Sequence, residues 1–222
     1  YTDPTGRLIV INVGNRRYVL QDMADSGLAF YDAQGNRYSG NSQFAFALID
    51  ALNELKSKKY GGALVKYLMN RKEGIYVQES TSDNSTKGLT VNWNPSQSEG
   101  GLSESNDKKR PSYIGLAHEF GHIMDKFNNP TKDVSEDIWL KARNSCNENI
   151  SNSEKFATTW ENLIRAEHSL PLRMSYLSDD NDYYGSSQIV DSKTRRNLFF
   201  HIVDFHFENM NKIYDSIVFL KR

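Results

Sequence analysis

The sequence predicts an α+β fold, with a small mixed or antiparallel sheet packed on two helices. Three observations carry that expectation. Short β-branched runs flank a Gly-Asn turn near the start. Apolar residues recur at spacings of three and four over 42–56, 112–127 and 153–168. Two further strand-like runs, 75–79 and 89–93, stand between the first and second of those helices. At 222 residues the chain can bury a full core in one compact domain. A division is nonetheless expected near residue 40, between a leader with short hairpins and a domain over 41–222.

Charge is nearly balanced, with 27 Lys+Arg against 28 Asp+Glu and no long basic run, so neither nucleic acid nor an anionic membrane is the expected partner. Cys146 is the single cysteine, which rules out an internal disulfide and a cysteine-based metal site. No run approaches the ~18 apolar residues of a membrane span. The chain opens at Tyr1 with no Met and no signal-peptide pattern, and reads as a piece cut from a longer polypeptide.

In chain order, 1–6 is turn chemistry, with Asp before Pro and a closing Gly. Runs 8–13 and 18–20 form a hairpin about Gly14-Asn15, and 27–32 is a further strand ending at the Gln34-Gly35-Asn36 turn. Helix 42–56 carries Phe44, Ala47, Leu48, Ala51, Leu52 and Leu55 inward. Gly61-Gly62 is expected to break it, with a second short helix over 63–70. The polar loop 80–87 joins strands 75–79 and 89–93. The latter is the candidate edge strand for pairing with an extended peptide, or is an ordinary sheet strand. Residues 95–111, rich in Ser, Gly, Glu and Lys, are expected to form a mobile surface loop.

The most informative stretch is His118-Glu119-Phe120-Gly121-His122, an HExxH motif inside the helix expected over 112–127 with Ser112 as its N-cap. At about 100° per residue, positions four apart share a face, so both imidazoles can reach one metal ion. Glu119 stands beside His118 and can act as base toward a water at that ion. Two histidines on a buried face could instead be hydrogen-bonded core residues. The small and apolar residues threaded through the motif favour a zinc site.

A third protein ligand is usual for catalytic zinc. Residue 128 is Asn, so the extended HExxHxxGxxH pattern is excluded. Helix 153–168 offers Glu154, Glu161 and Glu167, with Glu154, Glu161 and His168 along one line. Glu154 is favoured, because Glu154-Lys155-Phe156-Ala157 sets a small residue where two helices must approach. Glu161 is the next candidate, and otherwise joins Asn162 in orienting His118 or His122. Against this, Ser151-x-x-Glu154 also fits a capping box, and Glu161 with Arg165 fits a surface i,i+4 pair. Arg173 and Tyr176 can hydrogen-bond a tetrahedral oxyanion or serve as anchors.

Two motifs together carry a family resemblance: Pro111-x-x-x-Gly-Leu-Ala-His-Glu-Phe-x-His122 and Glu154-x-x-Ala-x-x-x-Glu161-Asn-x-Ile-Arg165-Ala-Glu-x-x-Leu-Pro-Leu-Arg173-x-x-Tyr176. Over about 110–176 the chain resembles the NleD-like effector zinc metallopeptidases. Phe120 stands where an aliphatic residue is more usual, which should affect packing only. The resemblance implies a zincin-like fold and a zinc-dependent endopeptidase acting on a protein inside a target cell. The expected site is then Zn2+ on His118, His122 and Glu154, with Glu119 catalytic.

Tyr1-Thr2-Asp3-Pro4-Thr5-Gly6 resembles the close of the core in RHS-repeat proteins. That likeness implies that residues 1–40 are a leader from the core's end, and that 41–222 is the C-terminal toxin payload of a large secreted bacterial shell. A protein substrate, an immunity protein and the RHS shell itself are the implied partners. The competing expectation is a non-catalytic protein-binding domain with a structural metal.

Beyond Tyr176, 178–185 reads as a solvated acidic turn without calcium-loop spacing. Runs 198–207 and 213–220 read as a C-terminal hairpin. His201 and His206, five apart, are not a second metal pair and are read as structural.

Overall fold

The computed structural model describes residues 9–23, 27–131, 133, 136–142, 149–177, 183–184, 186–194 and 196–199. The expectations for the 1–6 turn, Cys146, His201, His206 and most of the 178–185 turn and the C-terminal hairpin lie outside them.

Ile-Val-Ile-Asn-Val builds β1 (Ile9–Val13), and Gly14 takes the positive φ of 58° that a two-residue hairpin demands. β2 (Arg16–Met23) returns antiparallel with Val13 opposite Arg16, and β3 (Gly27–Tyr31) pairs antiparallel with β2. The Asp32 carboxylate then accepts the amides of Gln34 and Asn36, closing the turn foreseen there. α1 (Gln43–Lys56) starts at Ser42, whose hydroxyl accepts the Ala45 amide at 3.2 Å. Its Phe44, Leu48, Leu52 and Leu55 enter the main core.

The chain breaks at Ser57-Lys58 rather than at the glycines, which lie inside α2 (Lys59–Met69). Gly61 is needed there for room: a Cβ would lie 2.3 Å from the Leu55 carbonyl oxygen. β4 (Ile75–Glu79) runs parallel to β1, with α1 and α2 in the crossover between them. The 80–87 loop contains a strand of its own, β5 (Ser85–Lys87), antiparallel to β6 (Thr90–Trp93). The sheet order is β3-β2-β1-β4-β6-β5. The fold is therefore mixed α+β. Strands from the segment read as a leader form half of this sheet. Strand β6 is interior, so the edge beside the helices belongs to β5, not to 89–93 as expected. Between β5 and β6 the backbone turns through Gly88, at φ 65°, which sets β5 on the outside.

α3 (Ser112–Asn128) and α4 (Asn152–Glu167) pack tightly against each other. Pro111, not Ser112, caps α3: its extended backbone lets its carbonyl accept the Ile114 amide at 2.9 Å, while Ser112 is already helical and its carbonyl takes the Trp93 indole N–H. Phe120 is fully buried in the core. The loop over 95–111 is tied down by bridges Glu99↔Lys109 and Ser103↔Arg173, and ends in a buried Arg110. A second, three-stranded sheet, β8-β7-β9, is formed by β7 (Ile138–Ala142), β8 (Ile150–Ser151) and β9 (Tyr183–Tyr184). Among the described residues no helix is long and apolar enough to cross a membrane.

Candidate metal centre and cleft

Helical pitch sets His118 and His122 one turn apart on α3, and their rings stand edge to face with centroids 5.0 Å apart. α4 crosses opposite them at close range. Gly121 lies against Ala157, where a Cβ on Gly121 would fall 2.8 Å from the Ala157 Cα. That approach brings the first turn of α4 under the rings. Glu154 Oε2 lies 3.2 Å from His118 Nε2 and 3.3 Å from His122 Nε2. One ligand atom from each of the three residues lies within 4.8 Å of the others.

The remote nitrogens are held as well. His118 Nδ1 is 3.1 Å from Glu161 Oε2, and His122 Nδ1 is 2.9 Å from Ser153 Oγ. These contacts turn both Nε2 atoms toward the same point. Two imidazole nitrogens and a carboxylate oxygen, each ring oriented from behind, form a donor set that fits a divalent transition-metal ion.

The electrostatics follow from the same contacts. Burial alone would lower the pKa of His118, but the Glu154 and Glu161 carboxylates at its two nitrogens outweigh that and raise it to about 9. Burial opposes ionisation of both glutamates. His122 and His118 nevertheless hold Glu154 well below the usual carboxylate range, and Arg173, His118 and Arg165 do the same for Glu161. Glu119 is nearly buried beside His118, and Thr86 Oγ1 donates to its Oε2 at 2.8 Å.

Several expectations change. The capping box is not formed: Ser151 occupies the N-cap without a side-chain bond, and Glu154 points at the histidines. Glu161 and Arg165 are paired, at 2.8 Å, but in the interior, because the 171–176 segment folds over them. Arg173 Nη1 adds a second guanidinium 3.2 Å from Glu161. Asn162 orients neither histidine. Its amide bonds both the carbonyl and the N–H of Arg173, at 2.9 and 2.8 Å, and so fixes that segment on α4. Glu167 faces the other way and accepts the Tyr60 and Gly61 amides at the start of α2, both at 2.7 Å.

A cleft of about 530 Å³ opens over this centre, and its lining includes His118, Glu119, His122, Glu154, Arg173 and Tyr176. Arg173 donates to the Tyr176 carbonyl at 2.7 Å and its guanidinium lies 4.9 Å from the centroid of that ring. Burial and the Glu154 carboxylate push the Tyr176 hydroxyl above its ordinary pKa, so it remains protonated at neutral pH. Sequence reasoning missed Thr86, Ser153, Asn84 and Arg110 in this cleft. Ser153 adjoins Glu154, but a lone Ser or Thr carries no pattern that marks it as a partner of a distant side chain.

An HExxH helix, an acidic residue brought in from a second helix, and an open cleft beside a sheet edge define a peptidase-type site. The family Peptidase_M91, described as effector protein, matches residues 32–176. That range spans well over half of the chain, which therefore belongs to this effector peptidase family. It takes in α1 to α4 and ends on Tyr176 in the cleft, whereas β1, β2 and β3 precede it. No curated protein and no solved structure matches the chain.

Proposed function

We propose that this chain is a zinc-dependent endopeptidase of zincin-like architecture, with His118, His122 and Glu154 as metal ligands and Glu119 as catalytic base. The observation that carries the reading is the convergence of His118 Nε2, His122 Nε2 and Glu154 Oε2 on one point beside Glu119. Bound there, zinc would supply a Lewis acid that polarises the scissile carbonyl and makes a nearby water more acidic.

The chain's own groups do the rest. Glu119, held by Thr86, takes a proton from the attacking water and passes it to the leaving amine. Tyr176, which stays protonated, supplies an O–H toward the developing oxyanion. Glu161 and Ser153 keep the two imidazoles in register. Among the described residues no strand pairs with the outer side of β5, which leaves its main-chain groups free to bind an extended substrate.

The rival, a protein-binding domain with a structural metal, calls for a closed set of four protein ligands. Three residues make up the cluster among those described, which favours catalysis. Delivery into a target cell agrees with the effector family. The opening six residues favour an RHS shell of bacterial origin as the carrier, with an immunity protein as the natural antagonist. The substrate is a protein of the target cell.

The test is a comparison of new protein N-termini in cells expressing the wild type or Glu119→Gln. Cleavage sites present only with the wild type, while purified Glu119→Gln still binds zinc stoichiometrically, are expected. Equal cleavage by both proteins would falsify the role of Glu119.

A further inference from the structure

The cleft holds a cation that the proposed reaction does not use. Arg110 closes the 95–111 loop, lines the cleft and is 8 % exposed. Its side chain passes between two glycines. A Cβ on Gly100 would lie 2.8 Å from Arg110 Cδ, and one on Gly115 would lie 3.5 Å from its Cζ. Gly115 is four residues before Glu119, so the guanidinium sits roughly one helical turn, about 5 Å, along α3 from the base. Asn84 reaches the same place: its Nδ2 would be 2.5 Å from a Cβ on Gly115.

Arg110 differs from the other two buried guanidiniums. Arg165 and Arg173 both end on Glu161 and on main-chain carbonyls. Arg110 Nη2 donates to Gln97 Oε1 at 3.0 Å, but among the described residues no carboxylate pairs with it. Its Nε and the Nδ2 of Asn84 are both buried without an acceptor. Burial draws its pKa below the ordinary guanidinium value; Glu161 and Glu119 oppose that change, and Arg173 and Arg165 reinforce it. A buried guanidinium without a counter-charge is unfavourable in the free protein and becomes favourable when an anion arrives.

We infer that Arg110, with Asn84 and Gln97, forms a subsite for an acidic side chain of the substrate, a carboxylate or a phosphate, within two residues of the scissile bond. The guanidinium fork and the unpartnered Asn84 Nδ2 match the oxygens of either group, while Gln97 holds the guanidinium in place and gives its own N–H to Asp83 Oδ1 at 2.9 Å. An extended peptide advances about 3.3 Å per residue, so one helical turn from the base corresponds to one or two residues from the cut. The inference rests on the peptidase reading and adds the substrate class to it.

The experiment measures binding, not turnover. Zinc-loaded Glu119→Gln protein is titrated into labelled pools of short random peptides that carry a central Glu, phosphoserine or Gln, and anisotropy is read. The Glu pool, the phosphoserine pool or both are expected to bind about tenfold more tightly than the Gln pool, as one charge-assisted contact provides. The tighter of the two identifies the anion. Adding Arg110→Gln should abolish that difference and leave the Gln pool unchanged. Asn84→Asp, which keeps the acceptor for the Asn94 amide and gives Arg110 a counter-charge from within the chain, should abolish it too, and serves if Arg110→Gln does not fold. Equal binding of all three pools overturns the subsite, as does a preference that survives these substitutions. Failure of the peptidase reading shows separately, as absence of wild-type-specific cleavage in cells.

Discussion

Glu161 is completely buried and lies 3.1 Å from His118 Nδ1, on the opposite side of the ring from Glu154, which lies 3.2 Å from Nε2. One imidazole on α3 is thus gripped by two carboxylates that are seven residues apart on α4. Glu161 also receives Arg165 and Arg173. It joins the candidate metal centre to the 171–176 segment that walls the cleft.

Glu161→Gln should therefore weaken zinc binding and folding together. Loss of the carboxylate behind a metal-ligating histidine typically costs 10–100-fold in affinity. Leaving Arg165 and Arg173 buried against a neutral amide should cost about 3–5 kcal/mol of stability. Competition with a chromophoric chelator and urea denaturation measure the two effects. Normal zinc affinity in a folded Glu161→Gln protein would contradict the positioning role.

The three glutamates of α4 should separate by phenotype. Glu154→Gln should abolish tight zinc binding and also lower metal-free stability, because its carboxylate pairs with both histidines. Glu167→Gln should leave zinc binding intact and lower stability by about 1–2 kcal/mol, because its charge sits on two amides at the start of α2. Titration of zinc into each variant, alongside a melting curve, distinguishes them.

Gly121→Ala tests the contact between the two helices. The added methyl would meet the Ala157 backbone at 2.8 Å, and backbone cannot swing aside as a flexible side chain can. Destabilisation of about 1–3 kcal/mol is expected, with weaker zinc binding as Glu154 is displaced from the rings. Chemical denaturation and chelator competition read both. A stability equal to wild type would mean that α4 can shift freely.

The metal-free protein should lose stability as pH rises from 6.5 to about 9. The folded-state pKa of His118 is raised to about 9 from 6.5, so its contribution is fully present below 6.5 and disappears as the ring deprotonates in the folded state. Glu154 and Glu161, both depressed, act in the other direction: their contribution is fully present above the unfolded value of 4.5 and is lost as pH falls below it toward their folded values. Melting temperature against pH, in the presence of chelator, should peak between those limits. His118→Gln should flatten the alkaline limb. Because zinc requires the neutral ring, its apparent affinity should climb over that alkaline range.

Much of the architecture was legible because helical pitch writes itself into spacing. α1, α3 and α4 are close to the predicted spans, and the Glu-x-x-Ala spacing anticipated the close approach at Ala157. The edge strand was not legible, since Ser85-Thr86-Lys87 has no apolar residue and only one β-branched one. It becomes a strand only because β6 offers it a ladder. Arg173 could be named as a cleft residue, but its partners could not. Asn162 and Glu161 hold it through contacts that sequence separation does not reveal.

By itself the sequence determined that His118 and His122 would share one helical face with Glu119 between them, because the rise and turn per residue leave no other arrangement. It also narrowed the acidic candidates to Glu154, Glu161 and Glu167 of α4, the first two of them on one line. Only the tertiary structure decided that Glu154 meets the Nε2 atoms while Glu161 stands behind His118. Both glutamates lie on that line, and their heights relative to the rings depend on how far α4 slides along α3. That offset is set where Gly121 rests on Ala157, a contact between residues whose pairing no local spacing encodes.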